Sequence, residues 1–222
     1  MELPILPLHT VLFPQMVLRL LVTEPPHLEM VQRCMDGDRT LGIVLARPGK
    51  TLDDIELCRV GTSAYIADLT EQGDGRTLLL VFGQRRFRLL DYRDGEYFVT
   101  GNVEWLPETG EDASVGVSVV TELLQCYLAD ILKPLGLAHP FPGEVEIPQE
   151  ATELSYVVAM LLPLALSEKQ RLLELPGPAA RLEAEVPLLR QQIEADRQGG
   201  RWRSIARPLG KQDAEWMAQW RN

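Results

Sequence analysis

The hydrophobic pattern changes its period once, near Pro107, and that change limits the folds open to the chain. Before it, apolar runs are short: Val17–Val22, Leu41–Ala46, Val60–Leu69, Thr77–Phe82, Phe87–Tyr92 and Tyr97–Trp105. Glycine and aspartate separate them at Gly73-Asp74-Gly75, Gly83 and Asp94-Gly95, where glycine accepts positive φ without a steric cost. Short strands with frequent turns predict a small barrel or sandwich. Runs 60–69 and 77–82, joined by the polar Gln72–Arg76 turn, read as a hairpin. One helix interrupts this half over Pro26–Met35, with Leu28, Val31 and Met35 on one face and Gly37 as its stop.

After Pro107 the spacing is helical. Val115, Val119, Leu123, Tyr127 and Ile131 recur every four residues, and Leu124, Leu128 and Leu132 widen the stripe. Residues 135–148 are rich in Pro and Gly and read as irregular. Ala151–Leu162 is a second, largely buried helix. Ser167-Glu168-Lys169-Gln170 has the form of a capping box at the start of a short helix through Leu175. Ala179–Arg197 is the last long helix, which Pro187 should kink or divide. The class is therefore α+β, with a β-rich part over 1–107, a helical part over 115–198 and a tail over 199–222.

The tail reverses the charge of the rest. Net charge is −10 over 222 residues, and Gly101–Met160 holds ten acids against Lys133 alone. Such a stretch repels phosphate backbones, so nucleic acid is not an expected partner. From Arg201 onward, five bases face two acids, interleaved with Trp202, Trp216 and Trp220. Tryptophan with arginine suits packing on the parent domain, a protein contact or base stacking. A homodimer that buries the tail is one such arrangement.

Three cysteines at wide spacing, Cys34, Cys58 and Cys126, support neither a disulfide framework nor a zinc knuckle, and suggest reduced thiols in the cytoplasm. The Met1–Pro4 start lacks a basic region, and the longest apolar run is too short for a membrane span. No catalytic group, metal site or cofactor is expected. Pro48-Gly49-Lys50-Thr51 lacks the first glycine of a phosphate loop, since position 44 is Val44. His9, His27 and His139 have no ligand spacing, and there is no G-x-S-x-G. Arg85-Arg86-x-Arg88 is the densest basic patch of the β half, either an anion contact or a solvated strand face.

Four stretches in order carry a family resemblance. Leu3-Pro4-Ile5-Leu6-Pro7-Leu8 leading to Val11-Leu12-Phe13-Pro14 resembles the opening of the Lon protease N-terminal domain. Val60-Gly61-Thr62 is similar to the start of its central hairpin, and Gly83-Gln84-Arg85-Arg86-Phe87-Arg88 to its glycine-arginine turn. Leu162-Pro163-Leu164 with Ser167–Glu174 is similar to its helical half. The resemblance spans about residues 1–195. It implies a PUA-like β-barrel subdomain followed by a C-terminal helical bundle, and a non-enzymatic module that binds unfolded polypeptide or a protein partner through an apolar patch. Phe13, Met16 and Tyr65 are candidates for that patch, although each suits a core equally. RNA binding through Arg85, Arg86 and the tail is the alternative, since PUA-like barrels also occur in RNA-modifying proteins.

Overall fold

Thr77–Phe82 and Phe87–Tyr92, read above as two strands, are halves of one. A computed structural model of the chain describes residues 1–48, 55–73, 75–95, 98–109, 114–132 and 147–198. Along them run β1 (Glu2–Leu8), β2 (Val17–Val22), α1 (Pro25–Met35), β3 (Thr40–Pro48), β4 (Ile55–Glu71), β5 (Thr77–Asp94), β6 (Val99–Trp105), α2 (Ser114–Leu132), α3 (Ala151–Leu161), α4 (Leu166–Glu174) and α5 (Pro178–Arg197). Gly83 lies inside β5 instead of ending it.

The sheet order is β2-β5-β4-β3-β1-β6, and β5 also pairs β6. The first half of β5 bonds to β2, its second half to β6, and β4 accompanies both. The ladder β5-β4-β3-β1-β6 thus returns to β5 and leaves β2 as a terminal strand. The β4–β5 hairpin is confirmed, with Gly75 at φ +83 in its turn. Pro4 and Pro7 fit in β1 because its two ladders are staggered. Residues 2–5 pair β6 and residues 5–8 pair β3, so each proline has one side without a ladder to lose.

Packing groups the chain into two compact units, Met1–Val117 with Pro148–Glu185, and Ser118–Ile147 with Val186–Asn222. In the first unit, Met30, Val31 and Cys34 of α1 pack on Leu6, Leu41, Ile66, Leu79 and Val81. A second cluster joins Leu3, Ile5, Val44, Phe87, Leu89 and Val103.

One helix expectation changes and another narrows. Ala165, not Ser167, caps α4, and no side chain makes the cap bond. Gln170 is drawn inward instead, where its Nε2 donates to the Val60 carbonyl at 2.9 Å and to Glu174 Oε1 at 2.7 Å. Pro187 does not divide α5. The bond it lacks would have reached Glu183, and both residues are exposed, where a missing helix bond costs least. In the second unit Val120, Leu124 and Tyr127 form the buried line of α2; Leu124 and Tyr127 belong to the expected stripe, and Val120 takes the place of Val119. Arg197 holds Asp130 at 3.2 Å.

Candidate interaction face

β2 and the first half of β5 are apolar on both faces. Leu18, Leu20, Val22, Leu79 and Val81 face inward to the core. The register sets Val17 opposite Phe82, Arg19 opposite Leu80 and Leu21 opposite Leu78, and it sets Tyr65 of β4 opposite Phe82. Those residues form the outward face. Val17 is 58% exposed, Leu21 51% and Phe82 40%, with Leu78, Leu80 and Tyr65 half-buried between them. An antiparallel ribbon wet on one side ordinarily alternates apolar with polar residues. β4 does so, with Asp68 and Thr70 on this face, whereas β2 and β5 place only Arg19 among apolar neighbours.

A loop and a glycine hold this ribbon in place. Gln15, at φ +68, donates its backbone N–H to the Gly83 carbonyl at 2.7 Å, and Gly83 donates to the Met16 carbonyl at 2.9 Å. The Leu12 carbonyl accepts Thr62 Oγ1 at 2.6 Å. A Cβ on Gly83 would lie 2.2 Å from the Phe13 carbonyl oxygen, so only glycine permits the approach. Phe13 is therefore an anchor and not a contact residue: it is 1% exposed, its ring 6.2 Å from that of Tyr156. Met16 packs against the core cluster. Of the three apolar candidates only Tyr65 lies on the outward face.

The arginine patch is split by strand alternation. Arg85 is exposed, its guanidinium 5.0 Å from the Trp105 ring centre. Arg86 points the other way and is 2% exposed, which withdraws it from any anion outside. Its Nε donates to Glu108 Oε1 at 2.6 Å, and its other nitrogens reach the carbonyls of Leu173, Leu175 and Pro176 at the end of α4. Glu108 also takes Arg181 Nη2 on Oε2 at 2.6 Å and the Tyr156 hydroxyl on Oε1. Arg181 donates to Ser155 Oγ at 3.0 Å and lies 4.1 Å from the Tyr156 ring centre.

Burial alone would raise the Glu108 carboxyl, but the Tyr156 and Arg181 hydrogen bonds and the two arginine charges outweigh it and hold it below the usual range. Burial pushes the Tyr156 phenol up. Glu185, one turn beyond Arg181, is buried without a hydrogen bond among the described residues; burial drives its carboxyl well up, and the Arg181 charge offsets part of that. This cluster braces the sheet against the helices of its unit.

Little else offers chemistry. A cleft of about 290 Å³ runs between Met1, Pro4, Arg33, Cys34, Phe98 and Thr100. Its Cys34 thiol is pushed up to about 11 by burial, which leaves little thiolate at neutral pH. Among the described residues no three His, Cys, Asp or Glu are placed to share a metal ion, and no helix is long and apolar enough to cross a membrane. Trp202, Trp216 and Trp220 lie outside the described residues.

The fold has counterparts among Lon proteases. Residues 2–191 match the model of the ATP-dependent protease La (LON) substrate-binding domain, and the chain belongs to that family. Lon protease 2 of Herpetosiphon aurantiacus is 30% identical over 201 residues, 87% of this chain and 24% of that protein. Lon protease of Escherichia coli K12 is 27% identical over 201 residues, 87% of this chain and 25% of that protein. The chain thus spans about a quarter of the length of the curated relatives it matches. The crystal structure of a Lon N-terminal domain protein from Xanthomonas campestris aligns at TM-score 0.62 and 26% identity, over 83% of this chain and 96% of that one. The N-terminal domain of the Mycobacterium avium complex Lon protease shares the fold at TM-score 0.64 and 18% identity, over 86% and 98%.

Val17, Leu21, Leu78, Leu80 and Phe82 escaped the reading from sequence. A signal was present in Leu78-Leu79-Leu80-Val81-Phe82, which carries no polar residue at either parity and so cannot present a polar face on either side.

Proposed function

We propose that the chain binds unfolded or extended polypeptide on the outward face of β2, β5 and β4, as a substrate-recognition module of the Lon type. The observation that carries this reading is the contiguous exposure of Val17, Leu21 and Phe82 around half-buried Leu78, Leu80 and Tyr65. An apolar surface of this kind on a folded domain marks an interaction site. The same reading takes the ladder that returns to β5 as a PUA-like barrel, with β2 as its terminal strand, and the later helices as a bundle.

The test is a titration with a reduced, carboxymethylated protein that cannot refold. Wild type binds it saturably. Val17→Lys and Phe82→Lys weaken binding at least tenfold, while the thermal midpoint moves little, because surface changes away from buried partners cost within about 0.5 kcal/mol. Unchanged affinity in both variants rejects this face as the site.

A further inference from the structure

The outward face ends at an open strand edge. β2 is terminal in the sheet and, among the described residues, pairs only β5. Gly83 donates to the Met16 carbonyl, so Met16 turns its C=O toward β5. Antiparallel ladders alternate, so Leu18, Leu20 and Val22 also bond toward β5. Val17, Arg19 and Leu21 then aim their N–H and C=O groups away from it, and those same residues carry the outward side chains. Edges are ordinarily blunted by proline, lysine or a bulge. Within β2 the only such device is Arg19, which has no hydrogen-bond or ion-pair partner among the described residues.

We infer that β2 is an acceptor strand: a segment of the bound polypeptide adds to its free edge as a further strand, with an acidic residue against Arg19 and apolar residues, two positions to either side, against Val17 and Leu21. This rests on the proposed polypeptide binding and says how the segment is held. Main-chain bonds would supply affinity with little regard to sequence, and the alternating side chains a modest preference. Charge selects the occupant. A second copy of the chain, paired two-fold about Arg19, would set Arg19 opposite Arg19, where like charges are unfavourable, and paired two-fold about Leu20 it would set Arg19 against Leu21 with no acid across from it. A strand with an acid at that position removes the conflict and gains a cross-strand ion pair.

The probe is the peptide acetyl-Thr-Val-Thr-Glu-Thr-Val-Thr-amide, titrated into the full chain. In the added ladder the Val and Glu nitrogens face β2, and the intervening Thr nitrogens face away. N-methylation at Glu is expected to weaken binding at least tenfold, and N-methylation at the next Thr less than twofold. The peptide with lysine in place of its glutamate binds more weakly to wild type and more tightly to Arg19→Glu than the parent does. If both N-methyl peptides match the parent, or if the parent fails to bind while carboxymethylated protein still binds, strand addition is wrong and the apolar face stands. If neither probe binds, the polypeptide reading falls as well.

Discussion

Glu108 accepts Arg181 Nη2 at 2.6 Å across 73 residues of sequence, and it shares its other oxygen between Arg86 and Tyr156. One partly exposed carboxylate thus answers two arginines whose side chains are 1% and 0% exposed. Breaking a buried pair costs roughly 3–5 kcal/mol. With the Glu108 side chain 28% exposed, Glu108→Gln is expected to cost about 2–3 kcal/mol, after allowance for solvent screening. Urea unfolding with an unchanged m-value measures it, and a loss below about 0.5 kcal/mol would mean that the cluster does not brace the unit.

Two carboxyls of this unit should respond to pH in opposite senses. Glu108 titrates below the ordinary carboxylate value of 4.5 in the fold, so its contribution is full above 4.5 and disappears as the pH falls through the depressed value. Glu185 titrates well above 4.5 in the fold, so its contribution is full below 4.5 and is lost as the pH rises toward the raised value. Glu185→Gln should therefore raise the melting temperature at pH 7 and have little effect at pH 4. A lower melting temperature at pH 7 would show that the ionised carboxylate has a partner it needs.

Gly83→Ala tests the close approach of the Phe13–Met16 loop. The added methyl meets a backbone oxygen and not the end of a flexible side chain, so the loop or β5 must shift. Overpacking of this kind costs roughly 1–3 kcal/mol. Faster amide exchange at Gln15 and along β2 should accompany the loss, and normal protection there would show that the loop does not position the strand.

Thiol chemistry should separate the three cysteines. Cys126 is exposed, whereas burial pushes Cys34 up to about 11 and also raises Cys58. One thiol per chain is expected to react promptly with a disulfide reagent at pH 8, and two more only in denaturant. Prompt reaction in a Cys126→Ser variant would contradict the burial of the other two.

The order of strands and helices was legible because a period of two and a period near four leave different marks on apolar residues. Gly83 misled for a physical reason. A glycine between apolar runs reads as a turn, yet here it serves a close backbone approach from Phe13, seventy residues earlier in the chain. Arg86 misled because its partners, Glu108 and the carbonyls of α4, are assembled only by folding. Phe13 and Met16 suited a surface patch and a core equally from sequence, and the loop that carries them folds down onto the core. Tyr65, suggested from sequence, lies on the outward face, whereas its neighbours on β2 and β5 were read only as strand residues, because a run that is apolar at both parities does not say which side faces water.

β5 is continuous from Thr77 to Asp94, with the ladder to β2 at one end and Arg86 inserted into the helical layer farther along. A segment seated on β2 and tugged along the strand direction would load all six β2–β5 registers in parallel, so they must fail together and not one after another. The load would pass along a single covalent strand to the arginine anchor. In mechanical terms the β2 edge would be a lap joint riveted to the rest of its unit, stiff in shear and weak only to peeling.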